Sequence, residues 1–105
     1  MNKATKNKLE AKGWKVGTAQ DFLGLTDAEE AFIETKLALA AHLRSRRLKR
    51  NLNQTQVAKL IGSSQSRVAK MEAADPSVSV DLLMRALLKL GVDRKDLARA
   101  VAASV

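Results

Sequence analysis

From Thr26 to Arg50 the chain runs without Gly or Pro, and apolar residues return at helical spacing: Phe32, Ile33, Leu37, Ala40, Ala41, Leu43 and Leu48. Thr26 stands three residues before Glu29, the spacing of a capping box, in which the hydroxyl accepts from the backbone near Glu29 and the carboxylate reaches back. This predicts a long first helix with a broad buried face: a stripe of Leu37, Ala41 and Leu48 beside a stripe of Phe32, Leu39 and Leu43. Asn53 and Gln56 repeat the spacing and open a second helix with Val57, Ala58 and Ile61 inward, ended by Gly62. Ser63 or Ser64 caps a third, roughly residues 65–73, with Val68 and Met71 inward. Asp75-Pro76 must interrupt it, because the residue before proline disfavours α geometry. Ser79 starts a fourth, with Leu82, Leu83, Ala86, Leu87 and Leu90 inward, and Gly91 stands where a left-handed residue closes a helix. Asp93 caps a fifth, with Leu97, Ala100 and Val101 apolar. Ahead of these, residues 1–12 are polar and Lys-rich, Trp14 and Val16 flank Lys15 in a short extended segment, and residues 21–25 form a small apolar patch. The expectation is an all-α, five-helix domain over 26–105, with a short N-terminal extension over 1–25 that is basic and partly extended.

Composition narrows the chemistry. At 105 residues the chain suits one domain. Aromatics are only 3% (Trp14, Phe22 and Phe32), so the core must come from Leu, Ala, Val and Ile. The absence of Cys removes disulfides, thiolate metal sites and a cysteine nucleophile. The single His, His42, cannot build a multi-histidine metal site, and without a nucleophile beside it makes no catalytic one; it is expected to be structural. No cofactor is implied, and the chain is not expected to be an enzyme. No apolar run reaches the length of a membrane span, and residues 1–15 hold no apolar signal core, so the expected place is the cytoplasm.

The net charge of +8, with an isoelectric point near 10.2, points to an acidic partner. Its distribution is uneven. Residues 1–15 carry five Lys against one Glu. Residues 26–35 hold Asp27, Glu29, Glu30 and Glu34 with no base, and residues 42–50 hold Arg44, Arg46, Arg47, Lys49 and Arg50 with no acid. An acidic start and a basic end suit the macrodipole of one helix, so the basic run reads as a solvated helix end or as a contact to nucleic acid.

Residues 54–73 are the informative stretch: two short helices joined by a tight turn. Such helices cross steeply, so Ala58 must be small, and Gly62 must adopt a positive φ. Val57 and Ile61 then meet Val68 and Met71. These constraints together describe a helix-turn-helix, whose second helix enters the DNA major groove.

Residues 26–90 resemble the helix-turn-helix regulators of the Cro and lambda-repressor type, the xenobiotic-response-element family. The resemblance extends to Leu43-Arg44-x-Arg46-Arg47 before the motif, to Lys70-Met71-Glu72-Ala73 after it, and to the fourth helix. The segment from Gly62 to Glu72 is similar to the small HigA-type antitoxins, which neutralise a ribonuclease toxin and repress their own operon. The chain departs from the family pattern in having Ser63 where most members have an apolar residue, and Ala73 or Ala74 at the end of the third helix where most have Gly. The resemblance implies a lambda-repressor-like fold and double-stranded DNA as partner.

With Val68 and Met71 inward, stepping 100° per residue turns Ser66 and Lys70 outward, sets Gln65 at the helix start and puts Arg67 on one flank. Gln makes bidentate contacts to adenine N6 and N7, so Gln65 is the expected base reader, with Ser66 and Lys70 beside it. Gln54 opens the second helix, where backbone N–H groups face a phosphate. Arg67, Arg46, Arg47 and Lys59 are the electrostatic candidates. One recognition helix covers few base pairs, so a homodimer on an inverted repeat is expected, with Leu83, Leu90, Leu97 and Val101 as interface candidates unless the chain's own core takes them. Trp14, Val16, Phe22 and Leu23 are anchors, either onto the domain itself or onto a partner such as a toxin.

Overall fold

The structure, a computed structural model, describes residues 24 and 26–102. The extended segment expected around residues 13–17, and the apolar patch at 21–25 apart from Gly24, lie outside the described residues, as do Trp14, Val16, Phe22 and Leu23. The described residues form five helices and no strand: α1 (Asp27–Lys49), α2 (Gln54–Ile61), α3 (Gln65–Glu72), α4 (Val80–Lys89) and α5 (Arg94–Ala102).

Each helix starts on a side chain that satisfies a backbone N–H left over in the first turn. Asn53 Oδ1 accepts from Gln56 N and Gln56 Oε1 accepts from Asn53 N, both at 2.8 Å, a complete capping box. Ser64, rather than Ser63, caps α3 by accepting from Arg67 N. Ser79 caps α4 and Asp93 caps α5. Thr26 accepts from Glu29 N at 3.1 Å, but Glu29 does not reach back to the backbone; its Oε1 accepts from the Thr26 hydroxyl at 3.2 Å instead. The helix ends share a device as well. The N–H groups of Leu52, Ser63, Asp75 and Val92 each donate to the carbonyl five residues earlier, with Asn51, Gly62, Ala74 and Gly91 in left-handed geometry just before them. Helix α3 therefore stops at Glu72 before Asp75-Pro76 is reached.

One core joins all five helices: Leu39 and Leu43 from α1, Val57, Ala58 and Ile61 from α2, Val68 and Met71 from α3, Leu83, Ala86 and Leu87 from α4, and Leu97 and Ala100 from α5. Val78, Leu90 and Val92 fill the connections. Leu83, Leu90 and Leu97, candidates for dimer contact by sequence, are buried inside the chain; of the four candidates Val101 stays outside, 41% exposed.

The broad buried face expected on α1 is corrected. Leu39, Ala40 and Leu43 enter the core, whereas Phe32, Ile33, Leu37 and Leu48 are 42–58% exposed and Ala41 is exposed as well. A helix with apolar residues around its whole circumference does not declare which side is inward; packing against α3, α4 and α5 decides it. His42 lies half-buried beside that seam. Burial, then the nearby Arg46, hold its pKa below the usual 6.5, so the ring is neutral at neutral pH, as befits a structural residue.

Candidate nucleic-acid interface

Helices α2 and α3 pack through Val57, Ala58 and Ile61 against Val68 and Met71. Gly62 turns the chain between them at φ +69°, where a side chain would be strained. Ser63, standing where an apolar residue is usual, has its hydroxyl oxygen buried with no hydrogen-bond partner among the described residues. Gln65, Ser66, Arg67 and Lys70 are all exposed on α3. Ser66, Arg67 and Lys70 line a groove of about 340 Å3 with Ser77 and Leu82.

The start of α3 is held by a relay of side chains. Arg47 Nε and Nη2 donate to the two carboxylate oxygens of Glu72, at 2.7 and 2.9 Å, and Nη1 donates to the Leu52 carbonyl at 3.0 Å. Both side chains are largely buried, 13% and 6% exposed. The Glu72 hydrogen bonds raise the Arg47 pKa further, and the guanidinium stays charged. Glu72 Oε1 also accepts from Gln54 Nε2 at 3.3 Å. That fixes which way the Gln54 amide faces, because a carboxylate only accepts. Gln54 Oε1 then accepts from Gln65 Nε2 at 2.7 Å. The Gln65 amide keeps its oxygen as an acceptor and one N–H as a donor, the two kinds of group with which a glutamine meets adenine N6 and N7.

The expected electrostatic set divides accordingly. Arg47 is largely buried, with its guanidinium bonded to Glu72 and to the Leu52 carbonyl. Arg46 is tied at 3.4 Å to Asp96 of α5, away from the recognition helix. Lys59 is exposed on the side of α2 opposite its buried face. Gln54 and Gln65 are brought together, and Arg67 stands at the edge of a second groove, about 440 Å3, beside Arg85 and Lys89 of α4. Sequence reasoning missed Glu72, whose partners lie 18 and 25 residues away, and it missed Arg85 and Lys89. A carboxylate at the end of a basic recognition helix was the only local signal of the first.

Among the described residues no helix is long and apolar enough to cross a membrane, and no group of three or more His, Cys, Asp or Glu could hold a metal ion. Comparison with curated proteins and with solved structures finds no match for this chain. The helix-turn-helix family model matches residues 43–101, from the basic end of α1 through α5. The matched residues cover more than half of the sequence and include both helices of the motif; the chain belongs to the Cro/C1-type helix-turn-helix family of DNA-binding transcription regulators.

Proposed function

We propose that this regulator is a repressor of its own operon that binds an inverted-repeat operator as a homodimer. Residues 26–105 are its DNA-binding unit, residues 54–73 the reading motif, and residues 1–25 an appendage to it. The observation that carries the reading is the Gln65 amide, exposed at the start of α3 and bonded to Gln54 so that an acceptor and a donor are left over. Gln65 reads a base, Ser66 and Lys70 contact the groove beside it, and Arg67 takes a phosphate. Two such helices in successive major grooves, about 34 Å apart, read the two halves of the operator. With Leu83, Leu90 and Leu97 in the core, the apolar residues left on the last two helices for dimer contact are Met84 and Leu88 of α4 and Val101 of α5. Repression is steric: the occupied operator excludes polymerase.

The test is a titration onto the chain's own upstream DNA beside a random fragment of equal length, at two salt concentrations. Binding confined to the upstream fragment is expected. Gln65→Ala should weaken that binding by ~1–3 kcal/mol and leave the random fragment unchanged. Equal losses on both fragments would remove Gln65 as the reader.

A second reading is an antitoxin that autoregulates and also neutralises a toxin through Trp14, Val16, Phe22 and Leu23. Its support is the similarity of residues 62–72 to HigA-type antitoxins and the apolar side chains left outside on α1. It requires those anchors to stay exposed until the toxin arrives.

A further inference from the structure

Helix α1 carries an apolar stripe, crossed by Arg44, on the side turned away from the core. Ile33, Leu37, Ala41 and Leu48 follow one another within about 80° of the helix circumference, and none is buried. Along its lower half, Leu37, Ala41, Arg44 and Leu48, walled by Ala73 and Ala74, line a mainly apolar groove of about 610 Å3. In line with the stripe at its upper end is Glu30, only 8% exposed although it faces away from the core. Its Oε2 is buried and has no hydrogen-bond partner among the described residues. A carboxylate oxygen so placed calls for a cation, and an apolar stripe calls for apolar cover.

We propose that residues 1–23 of the same chain are that cover, with Trp14 seated on the stripe between Leu37 and Leu48 and a lysine of the segment meeting Glu30. Three features select this occupant. Residues 1–23 hold what the surface lacks: Trp14, Val16, Phe22 and Leu23 for the stripe, and five Lys among the first 15 residues for the acidic start of α1. The reach is right. The segment joins α1 at its acidic end. An extended chain from Gly24 back to Trp14 spans about 33 Å, and Leu48 lies about 33 Å along the helix from Thr26, so Trp14 can sit anywhere on the stripe. The tether also sets an effective concentration in the millimolar range, far above that of a second copy or a separate protein in dilute solution.

Trp14 is the only tryptophan, so its fluorescence reports its surroundings without labelling. In the folded 105-residue chain the emission is expected to be blue-shifted from that of the urea-unfolded chain, resistant to acrylamide quenching, and unchanged on dilution. Leu37→Gln and Leu48→Gln alter exposed side chains and should keep the far-UV helicity. Each should move the emission toward the unfolded value and raise the quenching constant severalfold, while Leu37→Met keeps the native spectrum. Native emission equal to that of the unfolded chain would overturn the proposal. So would a blue shift lost on dilution, which would mean that a second copy covers the stripe. A shift that neither Leu37→Gln nor Leu48→Gln alters, with helicity retained, would place Trp14 elsewhere and overturn it as well. DNA binding by Gln65 is measured separately and survives either result.

Discussion

Ala74 stands at φ +52°, a left-handed conformation that costs an L-residue about 1–2 kcal/mol and glycine almost nothing. It is held there because the Asp75 N–H must reach the Lys70 carbonyl to close α3. Asn51 does the same work at the end of α1 with φ +55°, a conformation that Asn tolerates better through local hydrogen bonds. Ala74→Gly should therefore stabilise the fold. The strain removed exceeds the extra chain entropy of glycine and the small loss of apolar contact, for a net gain of about 0.5 kcal/mol and a rise of a few degrees in melting temperature. Asn51→Gly should gain less. A pair of thermal melts decides the matter: an unchanged or lower midpoint for Ala74→Gly would mean that the methyl contact outweighs the strain.

At the scale of elements, the recognition helix is set in place by side chains from α1 and α2 as well as by its own packing. Arg47 of α1 holds Glu72 at the far end of α3, Glu72 orients Gln54 of α2, and Gln54 holds Gln65 at the near end of α3. If Gln54 acts through Gln65, then Gln54→Ala and Gln65→Ala should not add. The double variant should lose less operator affinity than the two single losses summed, by about 0.5–1 kcal/mol. Additive losses in this double-mutant cycle would mean that Gln54 touches DNA on its own account. How far such an arrangement can be read from sequence depends on the range of its causes. Helix starts were legible because Asn53, Ser64, Ser79 and Asp93 act within three residues, and the inner faces of α2 to α4 because short helices place their apolar residues on one side. The inward side of α1 was not, since its apolar residues surround the helix and only three neighbours choose among them. Nor were the roles of Arg47 and Glu72, because an ion pair 25 residues apart leaves no local mark.

Over the whole molecule, the +8 charge is not spread evenly over a binding face. Ion pairs take up Arg46, Arg47, Arg85 and Arg99, all bound to carboxylates of the same chain, while Arg67 and Lys70 flank the grooves beside α3. Of these basic residues Arg67 lines both grooves. Counting phosphate contacts measures the assembly. Each phosphate contact releases condensed counterions and contributes about 0.9 to the slope of log affinity against log salt concentration. Every protomer of a symmetric dimer brings its own Arg67, so Arg67→Ala should lower the slope on the operator by about two, against about one for a monomer. The slope on random DNA should fall with it, because a phosphate contact is blind to sequence. Titrations of both proteins across a range of salt give the difference directly. A fall of about one would leave the proposed dimer without support. A loss confined to the operator, with the slope unchanged, would make Arg67 a reader of bases instead of an anchor to the backbone.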